Sequence, residues 1–88
     1  MKSIHNKAYQ QLLRLLRSKR LDNGITQREL ASRLGVCQGF VSKIETHERR
    51  LDVIELRDIC NAMGISFRQF VIEFDDSLNQ DKKDNEKD

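Results

Sequence analysis

Apolar residues along this chain recur every three or four positions and rarely alternate. Tyr9, Leu12, Leu13 and Leu16 fall at i, i+3, i+4 and i+7, one face of a helix expected from about Asn6 to Asp22. Arg14, Arg17 and Arg20 occupy another stripe and are expected to face solvent. Asn23-Gly24 is a stop signal, because glycine enters the left-handed region without steric penalty. A second helix opens at Thr26, whose spacing to Glu29 is that of a capping box, and ends at Gly35 with Leu30, Ala31 and Leu34 inward. A third is expected from about Gln38 to Thr46, with Val41 and Ile44 inward and Val36 and Val41 spaced as a hydrophobic staple around Cys37.

The same grammar repeats twice more. Asp52 and Glu55 have capping-box spacing before a stripe of Val53, Leu56, Ile59, Cys60 and Met63, which Gly64 ends. Ser66 and Gln69 open a fifth helix whose inner face is Phe67, Phe70, Val71 and Phe74, with Ile65 stapling to Phe70. From Asp75 to Asp88 the periodicity stops, leaving one leucine among polar and charged residues. The expected organisation is therefore an all-α, five-helix domain over residues 1–74 and an acidic, disordered tail over residues 75–88.

Composition sharpens this picture. Eighty-eight residues build one small core, and the absence of proline suits helices with short connections. Net charge is only +2, but a basic stretch through Ile72 precedes an acidic end, the distribution expected of a polyanion-binding body with a solvated tail. Cys37, Cys60, His5 and His47 lack metal-ligand spacing, so no metal site is expected, and Cys60 reads as a buried thiol. No apolar run reaches membrane-spanning length and no signal-peptide core opens the chain, so the expected location is the cytoplasm. The chain shows no nucleophile–base pair, phosphate-cradling glycine loop or evident small-molecule site; it reads as neither an enzyme nor a cofactor protein.

Two short helices joined by a glycine-marked turn, the second opening with small and amide side chains, form a unit that can present a helix end to the major groove. Gly24-Ile25-Thr26-Gln27, Glu29-Leu30-Ala31, Leu34-Gly35-Val36, Val41-Ser42-Lys43-Ile44-Glu45, Arg49-Arg50-Leu51-Asp52 and Met63-Gly64-Ile65-Ser66 together resemble the Xre/Cro-type, lambda-repressor-like helix-turn-helix family of bacterial and phage regulators. The resemblance implies five helices, with the helix-turn-helix at helices 2 and 3 and double-stranded DNA as partner. It also implies a repressor-type homodimer on a two-fold-related operator.

Carried over position by position, the resemblance assigns base contacts to Gln38, Gly39, Phe40, Ser42 and Lys43, and a phosphate contact to Gln27. The chemistry is compatible. Gln38 can pair bidentately with adenine, Lys43 can donate to guanine, and free amides in the first turn of helix 2 favour an anion at Gln27. Phe40 has two readings, a thymine-methyl contact or a partly buried helix-edge side chain. Arg28, Arg49 and Arg50 are placed to reach phosphates, and Glu45 reads as structural, paired with a basic residue. Phe67, Ile72 and Phe74 on the fifth helix exceed what one inner face needs and are the expected dimer contact.

Departures from the family pattern motivate a second reading. Gly39 removes a base-reading side chain, His47 stands where glycine is common, and Glu48 where lysine is common. A protein–protein interaction module, antitoxin-like or adaptor, that keeps the fold and reads DNA weakly or not at all would carry the same marks.

Overall fold

The computed structural model describes residues 6–86, with side chains described through Gln80. Its helices are α1 (Lys7–Asp22), α2 (Gln27–Leu34), α3 (Gln38–Glu45), α4 (Val53–Ala62) and α5 (Phe67–Glu86), and there is no strand among the described residues. The all-α, five-helix expectation holds, with α2 and α3 as the helix-turn-helix.

Capping side chains set the boundaries. Asn6 Oδ1 accepts from the amides of Ala8 and Tyr9, opening α1. Thr26 with Glu29, and Asp52 with Glu55, form reciprocal capping boxes on α2 and α4. At α5, Ser66 Oγ accepts from Gln69 N. Each such cap satisfies amides that the first helical turn leaves without a partner. Gly35, at φ +73°, makes the turn between α2 and α3; nothing crowds its missing Cβ, so backbone conformation alone demands glycine there.

Tyr9, Leu13, Leu16, Ile25, Leu30, Ala31, Val41, Ile44, Leu56, Ile59, Cys60, Met63 and Phe70 form one continuous buried core. Phe70, only 1% exposed, anchors α5. The α3 helix packs on α2 and α1, α4 on α2 and α5, and α5 on α1.

Four expectations need correction. Arg20 is buried, not solvent-facing, because it continues the inward series Tyr9, Leu13, Leu16 at i+4 from Leu16. Val53 is exposed, since it lies in the first turn of α4 and to one side of the Leu56–Ile59–Cys60 stripe. Val71 is likewise exposed, one step outside the Phe67–Phe70–Phe74 arc. The α5 helix also does not end near Phe74 but runs on to Glu86, across the segment expected to be disordered. The packed aromatic half meets the cost of nucleation, and no glycine or proline after Gly64 interrupts propagation. Lys87 and Asp88 lie outside the described residues.

Candidate nucleic-acid interface

The inward side of α3 is fixed by Val41 and Ile44, each 2% exposed. That anchoring turns Gln38, Gly39 and Lys43 outward, with Ser42 half-buried beside them. Gln38 is in the first turn, Lys43 makes no ion pair among the described residues, and Gly39 leaves a gap in the row that only the Cys37 thiol borders. Cys37 is exposed at the N-cap and makes no side-chain cap bond, so α3 begins without the amide partner that serine would supply.

Behind this row lies a polar chain. Arg20 binds Glu45 through two hydrogen bonds, Nε to Oε2 at 2.7 Å and Nη2 to Oε1 at 2.9 Å, while its Nη1 donates to the Ile25 carbonyl at 2.8 Å. Gln27 Nε2 donates to Glu45 Oε1 at 2.9 Å. Gln38 Nε2 in turn reaches Gln27 Oε1 at 3.4 Å, a long bond at the exposed end. Burial pushes the Glu45 pKa up, but hydrogen bonds from Arg20 and Gln27, helped by the charges of Arg20 and Arg17, outweigh it and hold the carboxyl below the ordinary glutamate range. Glu45 is therefore ionised and structural, and its basic partner is Arg20.

Gln27 thus does more than stand at a helix end. Its amide spans from the buried ion pair to Gln38, the first residue of the outward row on α3. Arg28 beside it is exposed, and both lie in the first turn of α2, where the helix dipole favours an anion. Arg20, Thr26, Gln27, Arg28 and Gln38 line one open depression on this face.

Phe40 and Arg49 are engaged within the protein, while Arg50 stays at the surface. Phe40 is half-buried against the core and lines a cavity with Leu34, Val36 and Ile59, which favours the helix-edge reading over a base contact. The Arg49 guanidinium lies 4.3 Å from the Phe40 ring centroid and pairs with Glu55, Nη2 to Oε2 at 2.8 Å and Nη1 to Oε1 at 3.1 Å. That hydrogen bonding, with the Asp52 amide, holds the Glu55 carboxyl below its usual range. Arg50 is exposed, with its guanidinium 5.9 Å from the Tyr9 ring centroid. Glu48 accepts from the Thr46 hydroxyl at 2.6 Å, and His47 holds a φ of +66°. The residue replacing the family's glycine therefore sits in the left-handed conformation that glycine usually occupies.

The Arg20–Glu45–Gln27 chain had a signal in the sequence. Arg20 is in register with the apolar face of α1, and an arginine in such a register requires a buried acid. No group of His, Cys, Asp and Glu suited to a metal occurs among the described residues.

The helix-turn-helix family pattern matches residues 16–70, and the chain belongs to this family, in its Xre-type branch. It is a DNA-binding regulator of the transcription-regulating class, and the family is not one of enzymes. Among individual proteins, it is similar to an XRE-family like protein from Pseudomonas syringae pv. tomato, with 50% identity and a TM-score of 0.79, covering 84% of this chain and 90% of that one. It is also similar to the clp gene regulator ClgR from Corynebacterium glutamicum, with 32% identity and a TM-score of 0.71 over 84% of this chain and 96% of that one. An HTH-type transcriptional regulator of Sinorhizobium fredii is 33% identical over 58 residues, 66% of this chain and 75% of the relative.

Proposed function

We propose that this regulator binds double-stranded DNA sequence-specifically, placing the N-terminal part of α3 in the major groove, and that it acts as a repressor-type homodimer in the cytoplasm. The observation that carries the reading is the row Gln38–Gly39–Ser42–Lys43, turned outward by a buried anchor and tied through Gln27 to the Arg20–Glu45 pair. Gln38 and Lys43 supply the base-reading chemistry, Ser42 a shorter hydroxyl contact, and Gly39 close approach. Gln27, Arg28 and Arg50 make the phosphate contacts. Gly39 and the short row shift part of the discrimination onto DNA shape.

The homodimer is proposed through α5. Phe67, Val71, Phe74 and Leu78 are spaced four, three and four residues apart, the apolar rhythm of a helix-pairing seam, and all are at least partly exposed. Ile72 adds an exposed apolar side chain on the adjoining face.

Selection of bound duplexes from a random pool tests the whole reading. A selected pair of inverted half-sites, with log affinity falling steeply against log salt, supports it. Weak, salt-insensitive binding with no enriched sequence would leave the interaction-module reading, which the acidic Glu48 and the missing side chain at Gly39 favour.

A further inference from the structure

The α3 and α4 helices meet through side chains; the helix packing of α3 is with α1 and α2. On the α4 side its first turn carries Phe40, and the ring borders a cavity of about 90 Å³ lined by Leu34, Val36, Glu55, Asp58 and Ile59. Core packing therefore does not enclose the ring on every side. Beyond the core contacts of Phe40 and the buried anchors Val41 and Ile44, Arg49 from the loop after α3 adds a further constraint. Its guanidinium covers the ring at 4.3 Å and is itself locked, forked onto both oxygens of Glu55 and donating to the Arg50 carbonyl at 2.9 Å. Glu55 is locked in turn: its Oε1 accepts from the Asp52 amide at 3.0 Å, and Asp52 Oδ1 accepts from the Glu55 amide at 2.7 Å. A continuous chain of contacts thus runs from the cap of α4 to the first turn of the recognition helix.

We infer that Arg49 is a positioning residue for DNA reading: through the Phe40 ring it sets the attitude of the recognition helix, and it is not a phosphate contact. The inference rests on the DNA-binding reading above. Two requirements follow from the geometry. The planar fork must be kept, since a lysine ammonium can hold one Glu55 oxygen but cannot stack flat on the ring while bridging both. The ring face must be kept too, so leucine at position 40 leaves Arg49 without its platform while tyrosine retains it. Without either, the first turn of α3 gains freedom toward the cavity, and Gln38, two residues before Phe40, loses its register on the bases.

The test uses the full chain and two duplexes of equal length, one selected from a random pool and one of random sequence, below the unfolding transition of every variant. Arg49→Lys and Phe40→Leu are each expected to reduce the affinity ratio between the duplexes roughly five- to tenfold, the low end of what one bidentate base contact discriminates. The double variant should be no worse than either single one, and Phe40→Tyr should keep the wild-type ratio. Arg49→Gln should leave the salt slope on the random duplex unchanged. If Arg49→Gln lowers that slope by about one and weakens both duplexes alike, Arg49 is a phosphate contact and the inference falls. Additive losses in the double variant, or a wild-type ratio in Arg49→Lys, overturn it as well. A wild-type chain that selects no sequence would instead overturn the DNA-binding reading itself.

Discussion

Arg20 and Glu45, twenty-five residues apart, close a two-bond ion pair at 2.7 and 2.9 Å between α1 and the end of α3. Both side chains are more than nine-tenths buried, at 7% and 9% exposure. Removing one partner leaves the other charged in a desolvated place. Glu45→Ala is expected to destabilise the fold by about 3–5 kcal/mol, read from urea unfolding. The depressed pKa of Glu45 gives the pH direction: its contribution is fully present above the unfolded-state glutamate value of about 4.3 and is lost as pH falls through the lower folded value. Glu45→Gln should therefore flatten the acid limb of stability against pH.

Gln27 and Lys43 should separate by kind of defect. Lys43→Ala is expected to relax preference at one half-site position, by about 1–3 kcal/mol, and to leave the fold intact because Lys43 makes no ion pair among the described residues. Gln38→Ala should do the same at a neighbouring position. Gln27→Ala should weaken all sequences and also blur discrimination, since Gln27 orients Gln38 and supports Glu45. Binding isotherms on single-base variants of a selected duplex distinguish these outcomes.

His47, at φ +66°, holds the turn after α3 in a conformation that disfavours side chains with a Cβ. His47→Gly should raise stability by roughly 0.5–1 kcal/mol, the relief of strain less the added freedom of the unfolded chain. Thermal unfolding reads this directly. A lowered midpoint would show that the imidazole contributes more than its backbone conformation costs.

The two thiols should behave oppositely. Cys60 is fully buried, and desolvation pushes its pKa up to about 11, so it should resist alkylation in the native state. Exposed Cys37 should react first, giving one fast thiol per folded chain. Cys37→Ser should stabilise α3 by about 0.5–1 kcal/mol through the missing cap bond.

Arg68 and Asp75 stand on the same outer flank of the α5 seam, and no described residue pairs with either side chain. In an antiparallel pairing that sets Val71 opposite Phe74 of a second copy, Arg68 comes beside Asp75 of that copy, twice by symmetry. Val71→Asp should dissociate the proposed dimer in sedimentation equilibrium. Arg68→Glu should weaken it, and the charge swap Arg68→Glu with Asp75→Arg should restore it. A parallel or end-on dimer would not recover.

The local frame was legible in the amino-acid order. Helix starts and stops are written in Asn6, Thr26, Asp52, Gly35 and Gly64 because capping and left-handed turns depend on neighbours within four residues. The outward row on α3 was legible for the same reason, since Val41 and Ile44 define its opposite face. What depended on distant partners was not. The register of Arg20 on α1 calls for a buried acid, but that the acid is Glu45, with Gln27 beside it, shows only in the fold, as does the fork of Arg49 on Glu55 over the Phe40 ring. The far half of α5 carries too few apolar residues to announce a helix, yet it propagates from a packed beginning. Periodicity and caps are short-range properties and so belong to the sequence. Which charges are buried, and which cations stay at the surface, are decided by contacts between residues that only the packed fold brings together.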